Sequence, residues 1–87
     1  SITAENGDIL FDDGDISLVR GTISANHLTF RNGSWIRMTE WDDTAAGIVA
    51  NGTIDIDGSK VVIENEEKAC AIWAKGGDLT VSNGSTV

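Results

Sequence analysis

Three short clusters of acidic side chains contain the residues that could hold a cation. Carboxylate oxygens are the ligands that Ca²⁺ prefers, and turns at equivalent places in neighbouring repeats would bring them close together. Asp12, Asp13 and Asp15 are therefore a candidate calcium site, and no other cofactor is predicted. Solvated turn charges that keep a strand-rich protein soluble are the alternative explanation. The clusters are Asp12, Asp13 and Asp15; Glu40, Asp42 and Asp43; and Glu64, Glu66 and Glu67.

Two tryptophans stand where a strand would turn them outward. Trp35 directly precedes Ile36, and Trp73 lies between the apolar residues Ile72 and Ala74. Alternation along a strand predicts that both indoles point away from the interior. An exposed indole could stack on a sugar ring or insert into a protein partner. The alternative is that each indole folds over a corner of the fold.

A third aromatic candidate lies in the longer segment between Glu40 and Ala46. Trp41 stands next to Asp42 and Asp43 there, and loops inserted into repeat proteins often carry function. We therefore predict that Trp41, Asp42 and Asp43 contribute to a sugar or ion contact. The alternative is that Trp41 covers the loop.

The sequence predicts no catalytic residue. His27 is the single histidine and Cys70 the single cysteine, and neither has a partner at the spacing of a nucleophile with its base. A polysaccharide lyase would need a basic residue beside its calcium site, and the spacing of Arg20, Arg31 and Arg37 places none there. His27 is expected to be a hydrogen-bonded turn residue.

Composition and charge limit the kinds of partner. The 87 residues carry 14 acidic and 6 basic side chains, a formal net charge of −8 at pH 7. Nucleic acid is not expected as a ligand, because phosphate binding depends on lysine and arginine. No apolar run approaches the roughly 20 residues that span a bilayer, so membrane insertion is not expected. A single cysteine excludes an intrachain disulfide framework.

An internal repeat defines the elements that must position these residues. An Ile-x-Ala triplet begins at residues 2, 23, 48 and 72, so the repeat lengths are 21, 25 and 24 residues. Each triplet is followed by a polar turn, a second apolar-x-apolar segment, a Gly-containing turn and a third such segment. The second segments are 9–11, 28–30, 54–56 and 79–81, and the third segments are 16–18, 36–38, 61–63 and the shortened 86–87.

This order predicts an all-β fold, a parallel β-solenoid. Alternation over three to five residues indicates strands with one buried face, and no stretch keeps a helical period. Antiparallel hairpins would not bring back the same three elements in every repeat. We predict one solenoid segment over residues 1–87, with about 3.5 coils of 21–25 residues at 2–22, 23–47, 48–71 and 72–87. The general crossover preference favours a right-handed coil.

Asparagines recur at the predicted turns. Asn26 and Asn51 follow the triplet at the same offset, where Asn tolerates left-handed backbone and could form a ladder of side-chain amides between coils. Asn32, Asn51 and Asn83 also begin Asn-Gly-Ser or Asn-Gly-Thr sequences of the N-glycosylation type. Turn chemistry explains these sequences without glycosylation.

The ends of the chain lead to a separate expectation. Neither end carries a predicted cap, and unpaired parallel edges are templates for further strands. We therefore expect the segment to be part of a longer repeat protein or assembly. Further coils, a cap or stacked copies of the chain would cover its ends.

Two stretches of the repeat, GIVANGTIDIDGSKV at 47–61 and AIWAKGGDLTVSNGSTV at 71–87, resemble right-handed parallel β-helix proteins of the pectin-lyase-like type, particularly bacterial surface carbohydrate-binding and adhesin-like β-helices. The resemblance covers nearly the whole chain and transfers no catalytic residue. It implies a non-catalytic scaffold, extracellular, at the cell surface or on a phage particle, that binds a polysaccharide or a protein surface. Two alternatives stay open: a fragment of a polysaccharide-degrading enzyme or phage tailspike, and a structural subunit that stacks into a fibre or decorates a particle.

Overall fold

The computed structural model describes residues 2–19, 21–39, 47–64 and 72–87. Within these ranges every regular element is a β-strand. No helix long and apolar enough to cross a membrane occurs in them. The strands are β1 (Ile2–Thr3), β2 (Asp8–Asp12), β3 (Asp15–Val19), β4 (Ile23–Ala25), β5 (His27–Arg31), β6 (Trp35–Thr39), β7 (Ile48–Ala50), β8 (Ile54–Asp57), β9 (Lys60–Glu64), β10 (Ile72–Ala74) and β11 (Leu79–Ser82).

The strands form three parallel sheets, each built from successive coils. We call them the first, second and third sheets, with strand orders β1-β4-β7-β10, β2-β5-β8-β11 and β3-β6-β9. Ile2, Ile23, Ile48 and Ile72 stack in register along the first sheet. The predicted all-β parallel solenoid of about 3.5 coils is therefore confirmed, and its right-handed sense stays a prediction.

Strand β6 shows how alternation builds each wall. Ile36 and Met38 are fully buried, whereas Trp35 and Arg37 are exposed. The strand covers five residues where the sequence predicted only 36–38, because the outward residues at its ends also pair with the neighbouring coils. One face of each strand thus faces the core, and the other is available to a partner.

The interior is one apolar cluster, in which each fully buried large side chain contributes about 1.5–3 kcal/mol of transfer free energy. Phe11 and Phe30 stack within it, with ring centroids 4.8 Å apart and 4° between the planes. In the fourth coil the inward residues Leu79 and Val81 remain about half exposed. The buried members are Phe11, Ile23, Ala25, Leu28, Phe30, Ile36, Met38, Ile48, Ala50, Ile54, Ile56 and Val61.

The corner between the second and third sheets alternates in length from coil to coil. The strand register leaves two residues in this corner in the first and third coils and three in the second and fourth. The longer corners contain Asn32-Gly33 and Asn83-Gly84, four residues with positive φ, whereas the third coil uses Gly58 alone. Left-handed backbone costs most residues about 1–2 kcal/mol, which explains why Asn and Gly occupy these positions.

The hydroxyl of Ser34, in the long corner of the second coil, forms hydrogen bonds with backbone groups of the first coil. Ser34 Oγ lies 2.9 Å from the carbonyl oxygen of Phe11 and 2.8 Å from that of Arg31. It also accepts a hydrogen bond of 3.2 Å from the backbone N–H of Gly14. Ser34 is fully buried, and its bond to the carbonyl oxygen of Phe11 is buried as well, so the hydroxyl satisfies a polar backbone group inside the fold.

Ser85 repeats this arrangement two coils later. Its Oγ lies 3.1 Å from the carbonyl oxygen of Ile56 and 2.6 Å from that of Ser82, and it accepts the N–H of Ser59 at 2.9 Å. The corner therefore has a two-coil period. The single-coil repeat of the sequence did not predict this longer period.

The corner between the first and second sheets contains the predicted asparagine ladder. Asn51 Nδ2 donates to Asn26 Oδ1 at 3.0 Å, which confirms that prediction. Gly76 of the fourth coil passes close to the ladder, and a Cβ added to it would lie 2.6 Å from the carbonyl oxygen of Asn51. A side chain at residue 76 would therefore require the backbone to move.

Candidate binding surface around Trp35

The outer face of the third sheet presents its outward side chains in three columns that run along the solenoid axis. Each column contains one residue from each of β3, β6 and β9, in register. We call this surface the third-sheet face. The three columns are Asp15, Trp35 and Lys60; Ser17, Arg37 and Val62; and Val19, Thr39 and Glu64.

Trp35 lies in the middle strand of this face. Its neighbour Ile36 is fully buried, so alternation along β6 turns the indole outward, and Trp35 is 49% exposed. Lys60 is its register partner in the next coil, and Lys60 Nζ lies 5.2 Å from the ring centroid. A cation–π contact at such an exposed site contributes about 0.5–1 kcal/mol and favours this position of the indole.

Two shallow surface hollows meet at Trp35. The first has a volume of about 330 Å³ and is lined by Asp15, Ile16, Ser17, Trp35 and Arg37. The second has a volume of about 360 Å³ and continues along the corner between the second and third sheets. Glycines and serines of three successive coils leave much of its wall as bare backbone. Its lining residues are Gly33, Ser34, Trp35, Gly58, Ser59, Lys60, Gly84 and Thr86.

The charged side chains of the third-sheet face balance one another. Asp15 and Glu64 are acidic, and Arg37 and Lys60 are basic. Arg37 Nη2 lies 4.0 Å from Glu64 Oε2, and both side chains are more than half exposed. A pair of this kind contributes only about 0–1 kcal/mol, so the guanidinium of Arg37 can exchange this contact for one with a ligand.

Trp73 lies on another side of the solenoid. It is the outward residue of β10 in the first sheet and is 44% exposed. Lys75 Nζ lies 5.0 Å from its ring centroid. The structure therefore places Trp35 and Trp73 on different sheets and does not bring them together in one site.

The predicted contact residues Trp41, Asp42 and Asp43 lie outside the described residues. Their contribution to a sugar or ion contact stays a prediction.

The three aspartates of the candidate calcium site have different environments. Asp12 accepts hydrogen bonds from Asn32 Nδ2 at 2.7 Å and from Arg31 Nη2 at 3.2 Å. Asp13 forms the corner with a positive φ of 54°, and Asp15 lines the first hollow. In the described part of the chain, no three His, Cys, Asp or Glu side chains form a group that could hold a metal ion. The geometry gives no support to calcium binding at this corner.

The contacts of Asp12 predict a pH-dependent contribution to stability. The hydrogen bond from Asn32, and after it that from Arg31, lowers the pKa of Asp12 below its usual range. A carboxyl group with a lowered folded-state pKa stabilises the fold above its unfolded-state pKa of about 3.9. This contribution is lost as the pH falls through the lower folded-state pKa. The variant Asp12→Asn should therefore be slightly less stable than the wild type at neutral pH, and this difference should shrink below about pH 4.

Urea denaturation across this pH range measures the difference in unfolding free energy. Asp55→Asn is the matched control, because Asp55 also points outward from the second sheet, on β8. A difference between Asp12→Asn and the wild type that keeps its size from neutral to acid pH would contradict the prediction.

His27 has a structural role. Its Nδ1 accepts the backbone N–H of Thr53 at 3.0 Å and lies 2.9 Å from Thr53 Oγ1. Nδ1 therefore carries no proton in this arrangement. The ring also fills the space in which a Cβ on Gly52 would lie. His27 thus connects the second coil to the third, in agreement with the hydrogen-bonded role expected from the sequence.

The contacts of two lysines with the two described indoles were not predicted. The signal was present in the predicted register, since Lys60 directly precedes the third segment of its coil just as Trp35 does in the coil before. Lys75 follows Trp73 by two residues in the chain. Stacking neighbours at equivalent positions of successive coils would have predicted the first contact.

No protein-family model, curated protein or solved structure matches this chain at a significant level. The three parallel sheets are those of a β-helix or β-solenoid.

Proposed function

We propose that the chain is a non-catalytic binding module of an extracellular or cell-surface β-helix of the pectin-lyase-like type, and that it binds a polysaccharide through the third-sheet face. The observation that carries this proposal is the half-exposed Trp35 indole at the junction of two surface hollows.

The indole offers a flat apolar surface to the C–H face of a sugar ring. Aromatic side chains combine a large contact area with few rotatable bonds, so little conformational entropy is lost on binding. Asp15, Ser17 and Arg37 surround the same hollow and provide hydrogen-bonding groups at its edge. An apolar floor with a few polar groups around it is the usual composition of a small-ligand site.

The solenoid supports this surface from beneath. Ser34 and Ile36, the residues on either side of Trp35, are fully buried, and β6 pairs with a strand on each side. A surface held in this way needs little reorganisation when a ligand binds, and this raises affinity.

The variant Trp35→Ala tests the proposal. Removing the indole should weaken binding of a recognised polysaccharide about tenfold or more, which corresponds to about 1.4 kcal/mol. A glycan array screened with the intact chain identifies the ligand, and isothermal titration calorimetry then gives the dissociation constants of the wild type and the variant.

Trp73→Ala is the matched control, because Trp73 is similarly exposed and also contacts a lysine but lies on the first sheet. It should bind as the wild type does. Unchanged affinity in Trp35→Ala, or binding only to proteins on a parallel array, would reject the proposal. The release of reducing or unsaturated sugar ends from a bound polysaccharide would instead favour the enzyme alternative.

A further inference from the structure

We infer that the first hollow beside Trp35 selects uncharged pyranose rings and discriminates against sugars that carry a carboxylate or a sulfate. This inference rests on the proposed function and names the class of polysaccharide that the surface takes. The polar groups around the hollow, the charge balance of the third-sheet face and the net charge of the chain support it.

The polar groups of the hollow match a hydroxyl better than an anion. The carboxylate of Asp15 only accepts hydrogen bonds, the guanidinium of Arg37 only donates them, and the hydroxyl of Ser17 does both. All three line the same hollow. A sugar hydroxyl can donate to Asp15 and accept from Arg37, whereas a carboxylate or sulfate on the sugar has no hydrogen to donate.

The charges oppose an anionic sugar. Asp15 lies in the hollow itself, and the acidic Glu64 already lies 4.0 Å from Arg37. The third-sheet face therefore has no excess of positive charge, and the chain as a whole carries a net charge of −8. Like charges brought together at an interface lower affinity for the wrong partner, and this is how charge gives specificity.

Lys60, the other basic residue of the third-sheet face, lies beside the Trp35 indole. Lys60 Nζ lies 5.2 Å from the Trp35 ring centroid and lines the second hollow, whereas the first hollow contains Asp15 and Arg37. An anionic group in the first hollow would thus meet one base and one acid. A neutral ring avoids the repulsion and keeps the stacking contact with the indole.

The two hollows together suit a chain of sugars. The first contains residues of the first two coils, and the second contains residues of the second, third and fourth coils. Three steps between coils, each about 4.8 Å, give a length of about 14 Å along the axis. An oligosaccharide that lies along the axis could contact the indole and continue over the bare backbone of the corner.

The experiment compares matched polysaccharides with the intact chain. Each neutral glucan, mannan or xylan oligosaccharide that binds in the array is tested beside a carboxylated and a sulfated derivative of the same backbone. Calorimetry at about 0.01 M and about 0.15 M salt covers weak and strong screening of charges. We expect the neutral ligand to bind with the same affinity at both salt concentrations. At low salt, each derivative should bind at least about fivefold more weakly than its neutral parent.

The variant Asp15→Asn links this selectivity to the hollow. It removes the acid but keeps a hydrogen-bond acceptor, so the ratio of the dissociation constants of each charged derivative and its neutral parent, measured with the same variant, should fall towards one. Asp55→Asn removes the same charge from the second sheet and should leave the discrimination unchanged. Circular dichroism establishes that both variants are folded.

The outcomes separate this inference from the proposed function. Tighter or equal binding of a charged derivative, or an unchanged ratio in Asp15→Asn, overturns the inference and leaves polysaccharide binding at Trp35 in place. Reduced binding of only one derivative distinguishes carboxylate from sulfate and overturns the inference for the other group. If no saccharide binds, or if Trp35→Ala binds as the wild type does, the proposed function and the inference fail together.

Discussion

Replacing Phe30 with alanine should unfold the chain or lower its melting temperature by more than about 10 °C. Phe30 is fully buried, and its ring stacks on Phe11 in the neighbouring coil. Truncating a buried phenylalanine costs about 3–5 kcal/mol, because apolar contacts are lost and a cavity remains. The total stability of a small domain is about 5–15 kcal/mol, so one substitution removes a large part of it.

Thermal unfolding followed by circular dichroism measures this effect. Thr29→Ala is the matched control on the same strand, since Thr29 points outward, and it should change the melting temperature by only a few degrees. Phe11→Ala, alone and combined with Phe30→Ala, gives the coupling energy of the two rings, which we expect to be about 0.5–1.5 kcal/mol. A Phe30→Ala variant that unfolds at the same temperature as the wild type would show that the two rings do not form the core described here.

Replacing Ser34 with alanine should cost about 1–3 kcal/mol of unfolding free energy, the usual penalty for a buried polar group that loses its partner. The hydroxyl accepts the N–H of Gly14 and lies within hydrogen-bonding distance of two carbonyl oxygens. Alanine has nearly the same size, so the loss reports the hydrogen bonds rather than a cavity. Urea denaturation at neutral pH measures the difference.

Ser85 offers an internal comparison for this prediction. It makes the same contacts two coils later but is only partly buried, so water can replace the lost hydroxyl. Ser85→Ala should therefore cost less than Ser34→Ala. Ser17→Ala, on the exposed third-sheet face, should be nearly neutral. Equal losses at Ser34 and Ser85 would show that burial does not set the size of the effect.

The sequence was sufficient to predict the fold because side-chain identity repeats with the coil. An isoleucine at the same place in four successive repeats fixes the register of the first sheet, since a shift by one residue would turn the whole apolar set outward. The inward positions of the second and third sheets followed from the same alternation. The fourth coil differs, because Leu79 and Val81 point inward but remain about half exposed.

The details of the corners could not be predicted in the same way. Asn-Gly and Asp-Gly sequences are both common in turns, so they do not by themselves show which side chain of a corner contacts the neighbouring coil. The hydroxyl of Ser34 finds two of its three partners in another coil, so its role depends on tertiary stacking. Polar residues are also common in turns for local reasons, so residue type alone does not distinguish the few whose side chains contact another coil.

The candidate site was predicted in part. Alternation placed Trp35 and Trp73 outward, and the structure agrees with it. The predicted register already makes Asp15 a neighbour of Trp35, since each directly precedes the third segment of its coil. Asp15 was nevertheless considered only as a calcium ligand, and the hollow that it lines with Trp35 and Arg37 was not predicted. The structure pairs the two residues directly in the register of β3 with β6, although the corners that precede these two strands differ in length.

The alternating corner restricts how a protein of this kind can change its length. Insertion or deletion of two coils keeps every long corner next to a short one, so each serine hydroxyl finds the same partners as before. Loss of a single coil would bring two long corners together and leave a serine without the backbone groups that it now satisfies. Gene duplication or protein engineering that extends this solenoid should therefore succeed most easily in units of two coils, and a tandem copy of the second and third coils, residues 23–71, is a natural first trial.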